Sequence, residues 1–409
     1  MPPGVSPRRP GAMRVTFHDT IDDIGAAEWD GVFGPERLFQ SHAWLRASEG
    51  DAIEGYVPRY VVIRDDQDCI AAAVAAYTMP TSLVMFSAAP LKWAVDRIQR
   101  IAPWFLRPRI LECGSPLGPG NGIGVRPDTS IASLAPIICE AMERLAARER
   151  IHLIVLRDFL ETELKASAAF GLEGYARTES LPTMSLDIKW KSFADYLGSM
   201  TSRHRQKVRR GLSLAKSSGL SARLAGPIGD QGQHLAHQRE NVRERAKEYS
   251  REKLTATFFS QLDKRLGPRA RVIEVLDGTT NVGHALLVDD GNILRWLSFG
   301  RETGGARDGA YFLVLASIIE LAIREGKSVL DMGMTTHGPK TDFGAKMLRQ
   351  WMLLRFRGPL GRLLPLVLRY VSPNRGTVAR HVFKGDGSQL PNGAEKVGSL
   401  GQSERHTAT

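Results

Sequence analysis

The sequence predicts a mixed α/β protein made of two tandem units of one kind, and three observations predict it. A β-hairpin, a strand, a glycine-rich loop, an apolar-striped helix and a buried strand follow one another between Arg14 and Ile188, and the same order returns between Trp190 and Gly358. A chain of 409 residues has room for two ordinary domains. Its 43% hydrophobic and 24% charged residues are those of a globular chain able to bury real cores.

In the first unit, 14–188, Val57 to Arg64 and Cys69 to Met79 read as strands around the turn Asp65–Asp68. Arg109 to Cys113 is a short strand entering a loop with Gly114, Gly118, Gly120, Gly122 and Gly124. Ile131, Leu134, Ala135, Ile138, Met142 and Leu145 keep helical spacing, which predicts a helix over about 130–148. Ile151 to Leu156 suits a buried strand. In the second unit, 189–360, helices are expected around 196–217, 230–248 and 254–265. Arg271–Leu276, Val282–Val288 and Ile293–Phe299 follow as strands, separated by the turn signals Asp277-Gly278 and Asp290-Gly291. A helix over 310–324 is apolar almost all round, so it must be covered on most sides. Val329–Met332 and Trp351–Phe356 complete the strands. Residues 1–13 and 385–409 lack core-forming residues and are expected to be disordered, and 361–384 is a basic apolar segment.

Composition excludes several classes. Three scattered cysteines, Cys69, Cys113 and Cys139, form neither a disulfide framework nor a metal-ligand pattern, so no metal is expected and a reducing, cytoplasmic setting fits. Met1 to Ala12 has no apolar core of a secretory signal, and no stretch approaches eighteen uninterrupted apolar residues. The net charge of +11 is local: Tyr196–Gly229 holds seven Lys/Arg and Phe343–Gly385 nine, both without an acid. Such patches suit docking of an anionic partner, although charge runs are also ordinary solvated faces.

Three stretches can carry chemistry. On a helix over about 196–217, Leu197, His204, Val208, Leu212 and Ala215 form a packing stripe, Arg203, Lys207 and Arg210 share a second face, and Arg205 and Arg209 a third. Their mutual repulsion would be relieved by phosphate or diphosphate, which Arg forks match well. In the second stretch, Lys340 follows the strand Leu330-Asp331-Met332-Gly333 and precedes Asp342-Phe343-Gly344-Ala345. A lysine there can neutralise charge developing on a carbonyl or a leaving group. In the third, Arg301, Gly304 and Gly305 open a loop before a helix, close to an Arg-x-x-Gly-x-Ala pyrophosphate loop. Ser41-His42 reads as a helix cap rather than a nucleophile, and His284 as a core histidine.

Together these residues resemble the FemAB-like families of the acetyltransferase (GNAT) superfamily. Leu38-Phe39-Gln40-Ser41-His42-Ala43-Trp44-Leu45 looks like their first helix start, and Ser202 to Lys216 like the basic helix of their second domain. The stretch from Leu330 to Ala345 is similar to their Asp-x-Gly … Lys-x-x-Phe-Gly-Ala signature. The resemblance implies two tandem acetyltransferase-like domains, each a mixed, mainly antiparallel sheet flanked by helices. It also implies a working cleft between them or on the second. The reaction implied is transfer of an acyl group from acyl-CoA or aminoacyl-tRNA to an amine, in cell-envelope or polysaccharide synthesis, with no bound cofactor. Lys340 would match the functional lysine, with Asp331 and Asp342 beside it. Arg203, Arg205, Lys207, Arg209, Phe343, Gly344 and Lys346 would meet substrate, and Arg301, Gly304 and Gly305 the donor. Some relatives place the lysine directly after the Phe, so Lys346 stays a second candidate. Two other readings remain: a non-catalytic RNA-binding protein using the basic stretches, and peripheral contact of 361–384 with the inner face of an anionic membrane.

Overall fold

Hairpins dictated by turn residues build the scaffold. The computed structural model describes residues 13–84, 89–246, 251–303, 309–334, 337–358 and 381–384. The expected disordered ends, Gly304, Gly305 and most of the segment 361–384 lie outside those residues.

The strands of the first half are β1 (Arg14–His18), β2 (Val57–Arg64), β3 (Ile70–Pro80), β4 (Arg109–Cys113), β5 (Ile123–Val125), β6 (Leu153–Leu160) and β7 (Ala176–Glu179). Those that follow are β8 (Thr183–Asp187), β9 (Leu220–Leu224), β10 (Ala270–Asp277), β11 (Thr280–Asp290), β12 (Ile293–Arg301), β13 (Val329–Gly333), β14 (Lys346–Leu348) and β15 (Gln350–Phe356). The helices are α1 (Ala26–Phe33), α2 (His42–Ser48), α3 (Ala89–Gln99), α4 (Ile131–Arg148), α5 (Leu164–Leu172), α6 (Phe193–Ser199), α7 (Ser202–Ser217), α8 (Gly232–Glu244), α9 (Ala256–Leu266), α10 (Ala310–Arg324) and α11 (His337–Asp342).

One sheet runs β1-β2-β3-β4-β6-β15-β7, with β5 beside β3, and the other runs β14-β8-β13-β12-β11-β10-β9. Both are mainly antiparallel, and each has one parallel pair, β4 with β6 and β12 with β13. In both cases a helix, α4 or α10, makes the crossover between the parallel strands, as parallel pairing requires. The duplication expected from the sequence is therefore present as two sheets of like plan.

The sheets do not divide the chain at residue 188. β8 precedes that boundary yet pairs with β13 and β14 in the second sheet. β15 follows it yet lies between β6 and β7 in the first. Each half thus gives a strand to the other. A local apolar pattern marks such strands but does not specify their partners.

Three packed cores alternate with the sheets. Val61, Ile63, Val74 and Leu111 face α4 through Ile138, Met142 and Leu145. The opposite face of that sheet, with Tyr60, Ala75 and Tyr77, joins α1, α2 and α9 in a core that reaches Val272 and Leu286 of the second sheet. Trp44 and Phe258 meet edge-to-face there, 6.2 Å apart, across the two halves. Ile273, Val275 and Leu287 pack on Val314, Leu315, Ile318 and Ile319, which explains why α10 is apolar nearly all round.

The expected helix over 196–217 is two. α6 ends at Ser199, and Met200 leaves the helix to bridge with Phe383. Arg205 donates to the carbonyls of Gly198 (3.5 Å) and Met200 (3.2 Å), satisfying part of the α6 C-terminus. Ser41 caps α2 as expected, accepting from the Trp44 N–H. His284 is wholly buried, with Nδ1 2.8 Å from Gln238 Oε1. Burial, with Arg239 and His234 nearby, lowers its pKa to about 3.

That shift has a sign that can be checked. Between pH 6.5 and 3 the unfolded chain protonates this imidazole and the folded chain does not. Stability is therefore retained above the unfolded pKa and lost as pH falls, by up to about 1.4 kcal/mol per pH unit. Urea titrations from pH 6.5 to 4.5 are expected to show a shallower pH slope in His284→Gln than in the parent protein. Equal slopes would refute the assignment.

Candidate active site: a cationic cleft where the second sheet splays

β12 and β13 pair in parallel only from Ile293–Arg295 to Val329–Asp331. Beyond that point they separate. A register shift opposite Leu286 and Leu287 places a bulge at Leu297, where a bulged strand bends away. The opening is a cleft of about 630 Å³. Its walls are Trp296 to Phe299 and Arg301 of β12, Asp331 to Met334, and Pro339 and Lys340 of α11, with Tyr311 and Phe312 of α10. Arg239, Val242, Arg245, Ala246 and Glu252 close it from the α8 side, and Pro116, Leu117 and Pro119 come from the glycine loop of the first half.

Lys340 is only 4% exposed, and its Nζ lies 5.1 Å from the centre of the Trp296 ring. A short helix positions it. Gly344 ends α11 in the left-handed region, φ +87°, and the Ala345 N–H reaches back 3.1 Å to the Lys340 carbonyl. This is a Schellman-type stop, which favours glycine. A Cβ on Gly344 would also stand 2.2 Å from the Phe383 ring. Phe343 is fully buried, its ring 5.5 Å from Phe312 and its carbonyl accepting from Tyr196 Oη at 2.7 Å. Phe343 and Gly344 thus fix the helix that carries Lys340, and neither lines the cleft.

Asp331 stands at the apex of the splay. Its Oδ1 accepts from Thr183 Oγ1 and the Gly333 N–H, each at 2.9 Å, and its Oδ2 lies 3.0 Å from Arg295 Nη1. Arg295 is also paired with Asp290 at 2.7 Å and lies over the Phe39 ring of the first half at 5.3 Å. Asp342 is buried and paired with Lys207 of α7. That pair ties the basic helix to α11. Gly211 lets α7 approach α10 closely, since a Cβ there would meet the Phe312 ring at 2.4 Å.

The sequence candidates separate accordingly. Lys340, Asp331 and Arg301 come together in the cleft. Arg203, Arg205, Lys207 and Arg209 lie on α7 and do not line it. Lys346 is exposed on β14, 3.5 Å from Asp187, also outside the cleft. Arg239, Arg245, Arg295 and Trp296 were missed by sequence reasoning. Arg295 alone left a signal, as a charge inside the strand Ile293–Phe299.

A buried ion network lies behind Glu252. Arg251 pairs with Glu112 and lies 3.0 Å from Glu252, 2.8 Å from Thr81 Oγ1 and 3.1 Å from Tyr77 Oη. Arg157 reaches Tyr77 Oη at 2.8 Å, Glu112 at 3.5 Å and Asp158 at 2.8 Å. Burial pushes the Glu112 carboxyl upward, but Arg251 and Arg157 override it and hold the group below its ordinary range. For Asp158 burial prevails over Arg157, and its pKa is raised.

Residues 20–347 match the family model for FemAB-like proteins, described as peptidoglycan biosynthesis/recognition. The chain belongs to the FemAB-like family. Among solved structures, FemX shares the fold, with a TM-score of 0.50 and 12% identity over 81% of this chain and 96% of that one. A tandem GNAT protein from the clavulanic acid biosynthesis pathway gives a TM-score of 0.49 and 12% identity over 85% of this chain and 99% of that one. Curated proteins of two Mycobacterium tuberculosis strains, named for 8-amino-7-oxononanoate synthase 2, are 25% identical over 270 residues. The match spans 63% of this chain and about a third, 34%, of those relatives. The family match supports a transferase. Among the described residues, no helix is long and apolar enough to cross a membrane.

Proposed function

We propose that this FemAB-like protein transfers an acyl or aminoacyl group from an anionic carrier, acyl-CoA or aminoacyl-tRNA, to an amine used in cell-envelope synthesis. The observation that carries the reading is the buried Lys340 in a cleft shared with Arg239, Arg245, Arg295 and Arg301. Cations held in a partly dry pocket attract phosphate-bearing carriers and strengthen every charge interaction made inside.

The step requires an activated ester or thioester and a neutral amine aligned within attack distance. A C–N bond forms as the carrier's C–O or C–S bond breaks, and the amine loses a proton. The Lys340 ammonium would stabilise the tetrahedral oxyanion and the departing group. Asp331 is held by Arg295, Thr183 and the Gly333 N–H, which suits it to keeping the splay in shape. Arg301 would meet the carrier. The exposed Arg203, Arg209 and Arg210 of α7 offer a further cationic contact for the phosphates of such a carrier.

The test is mass spectrometry of reactions offering acyl-CoAs and charged tRNAs with candidate amines, muropeptide amines included. An amide product from one carrier class supports the proposal. Salt-sensitive RNA binding with no product from any pair would favour the non-catalytic reading.

A further inference from the structure

Among the described residues, the arm that joins β3 to β4 exposes large apolar side chains. Half of the exposed large hydrophobic residues among those described fall in it: Leu83, Trp93, Ile98, Ile101, Trp104 and Leu106. Trp93 is 62% exposed, Trp104 77% and Ile101 90%. Single exposed hydrophobics are ordinary, whereas six large ones gathered on one short arm point to an interaction surface.

The described parts of the arm, 81–84 and 89–108, are folded, so the exposure is built in. Its base is stapled by the Thr81 N–H to the Pro108 carbonyl and the Leu83 N–H to the Leu106 carbonyl, both at 2.9 Å. Val95 of α3 is buried and anchors the helix, and Gln99 Nε2 donates to the Phe105 carbonyl at 2.7 Å. The charge is one-sided. Residues 82–109 carry Lys92, Arg97, Arg100, Arg107 and Arg109 against a single acid, Asp96. The Arg97 guanidinium lies 5.0 Å from the Trp93 ring centre.

From these observations we infer that the arm is a membrane-surface anchor that seats Trp93, Ile101 and Trp104 in the interface of an anionic bilayer. Tryptophan prefers the headgroup boundary, isoleucine the acyl region just below it, and a rim of Arg/Lys the negative surface. A protein partner of ordinary composition would need acids opposite the rim, whereas an anionic bilayer meets every cation at once. This anchor is separate from the segment 361–384, whose described end packs inward: Val382 is buried, and the Phe383 ring lies 5.0 Å from Trp190. The arm continues through β4 into the loop whose Pro116, Leu117 and Pro119 wall the cleft. Docking by the arm would hold that cleft near the bilayer surface.

The experiment is co-sedimentation of the full chain with vesicles of phosphatidylglycerol and phosphatidylcholine, and with phosphatidylcholine alone. The parent protein is expected to bind the anionic vesicles and to be released by salt. The triple variant Trp93→Ser, Ile101→Ser, Trp104→Ser should lose at least tenfold in binding while keeping its melting temperature. A second variant, Arg97→Glu with Arg100→Glu, should lose binding without losing any apolar side chain. Retained binding in both variants, or none by the parent protein, would overturn the inference. So would light scattering showing a parent dimer that the triple variant makes monomeric, because the patch would then be covered by a second copy.

Discussion

Lys340→Ala is expected to reduce transfer by about a hundredfold to a thousandfold, the usual cost of removing one preorganised group that stabilises an oxyanion. The loss should fall mainly on kcat, because the ammonium acts on charge that develops in the transition state. Folding should survive. The Lys340 ammonium lies over the Trp296 ring, but the Schellman stop at Gly344 and the Phe343 plug are main-chain and neighbour features that alanine leaves intact. Lys340→Arg keeps the charge and should recover part of the rate. Lys346→Ala is the control, since that side chain is exposed and outside the cleft. A folded Lys340→Ala enzyme with parental kcat would remove the residue from the chemistry.

The second large effect concerns stability. Glu112→Ala is expected to cost about 3–5 kcal/mol, as breaking a buried ion pair from one side does. The carboxylate has 6% of its side chain exposed and compensates Arg251 and Arg157 together. Without it those two guanidiniums stay buried beside Asp158 and Glu252 and lose the carboxylate that they share. Arg251 lies in the second half and Glu112 on β4 of the first, so the network also locks the halves together. Urea unfolding should show a lower midpoint. An unchanged midpoint would mean that the network contributes nothing net to the fold.

Much of the scaffold was legible because short-range physics decides it. The Asp277-Gly278 and Asp290-Gly291 turns set the β10–β11–β12 meander. The all-round apolar helix around 310–324 had to be enclosed, and it is. Lys340 entered through the resemblance of Leu330–Ala345 to a family signature, and the structure adds the glycine stop at Gly344 and the buried Phe343 that position its helix. The exchange of β8 and β15 was not legible, because pairing partners depend on tertiary packing rather than on pattern. The basic helix was legible as a run of charge, but not the partners of its side chains. Two of its charges have structural partners, Arg205 at the α6 C-terminus and Lys207 on Asp342, which leaves Arg203, Arg209 and Arg210 exposed. The cations that do line the cleft, Arg239, Arg245 and Arg295, are scattered over two elements and their flanks and form no run. The apolar residues of 83–106 left no signal of their own, because exposure is set by tertiary packing.

The central claim is that the carrier enters the splay between β12 and β13. Hydrogen–deuterium exchange in the presence of coenzyme A, and separately of deacylated tRNA, tests it most directly. One of the two carriers is predicted to slow exchange at residues 296–301, 331–334 and 239–246 together, with α4 and β2 unchanged. Protection confined to the exposed face of α7, or found in none of these segments with either carrier, would contradict the account.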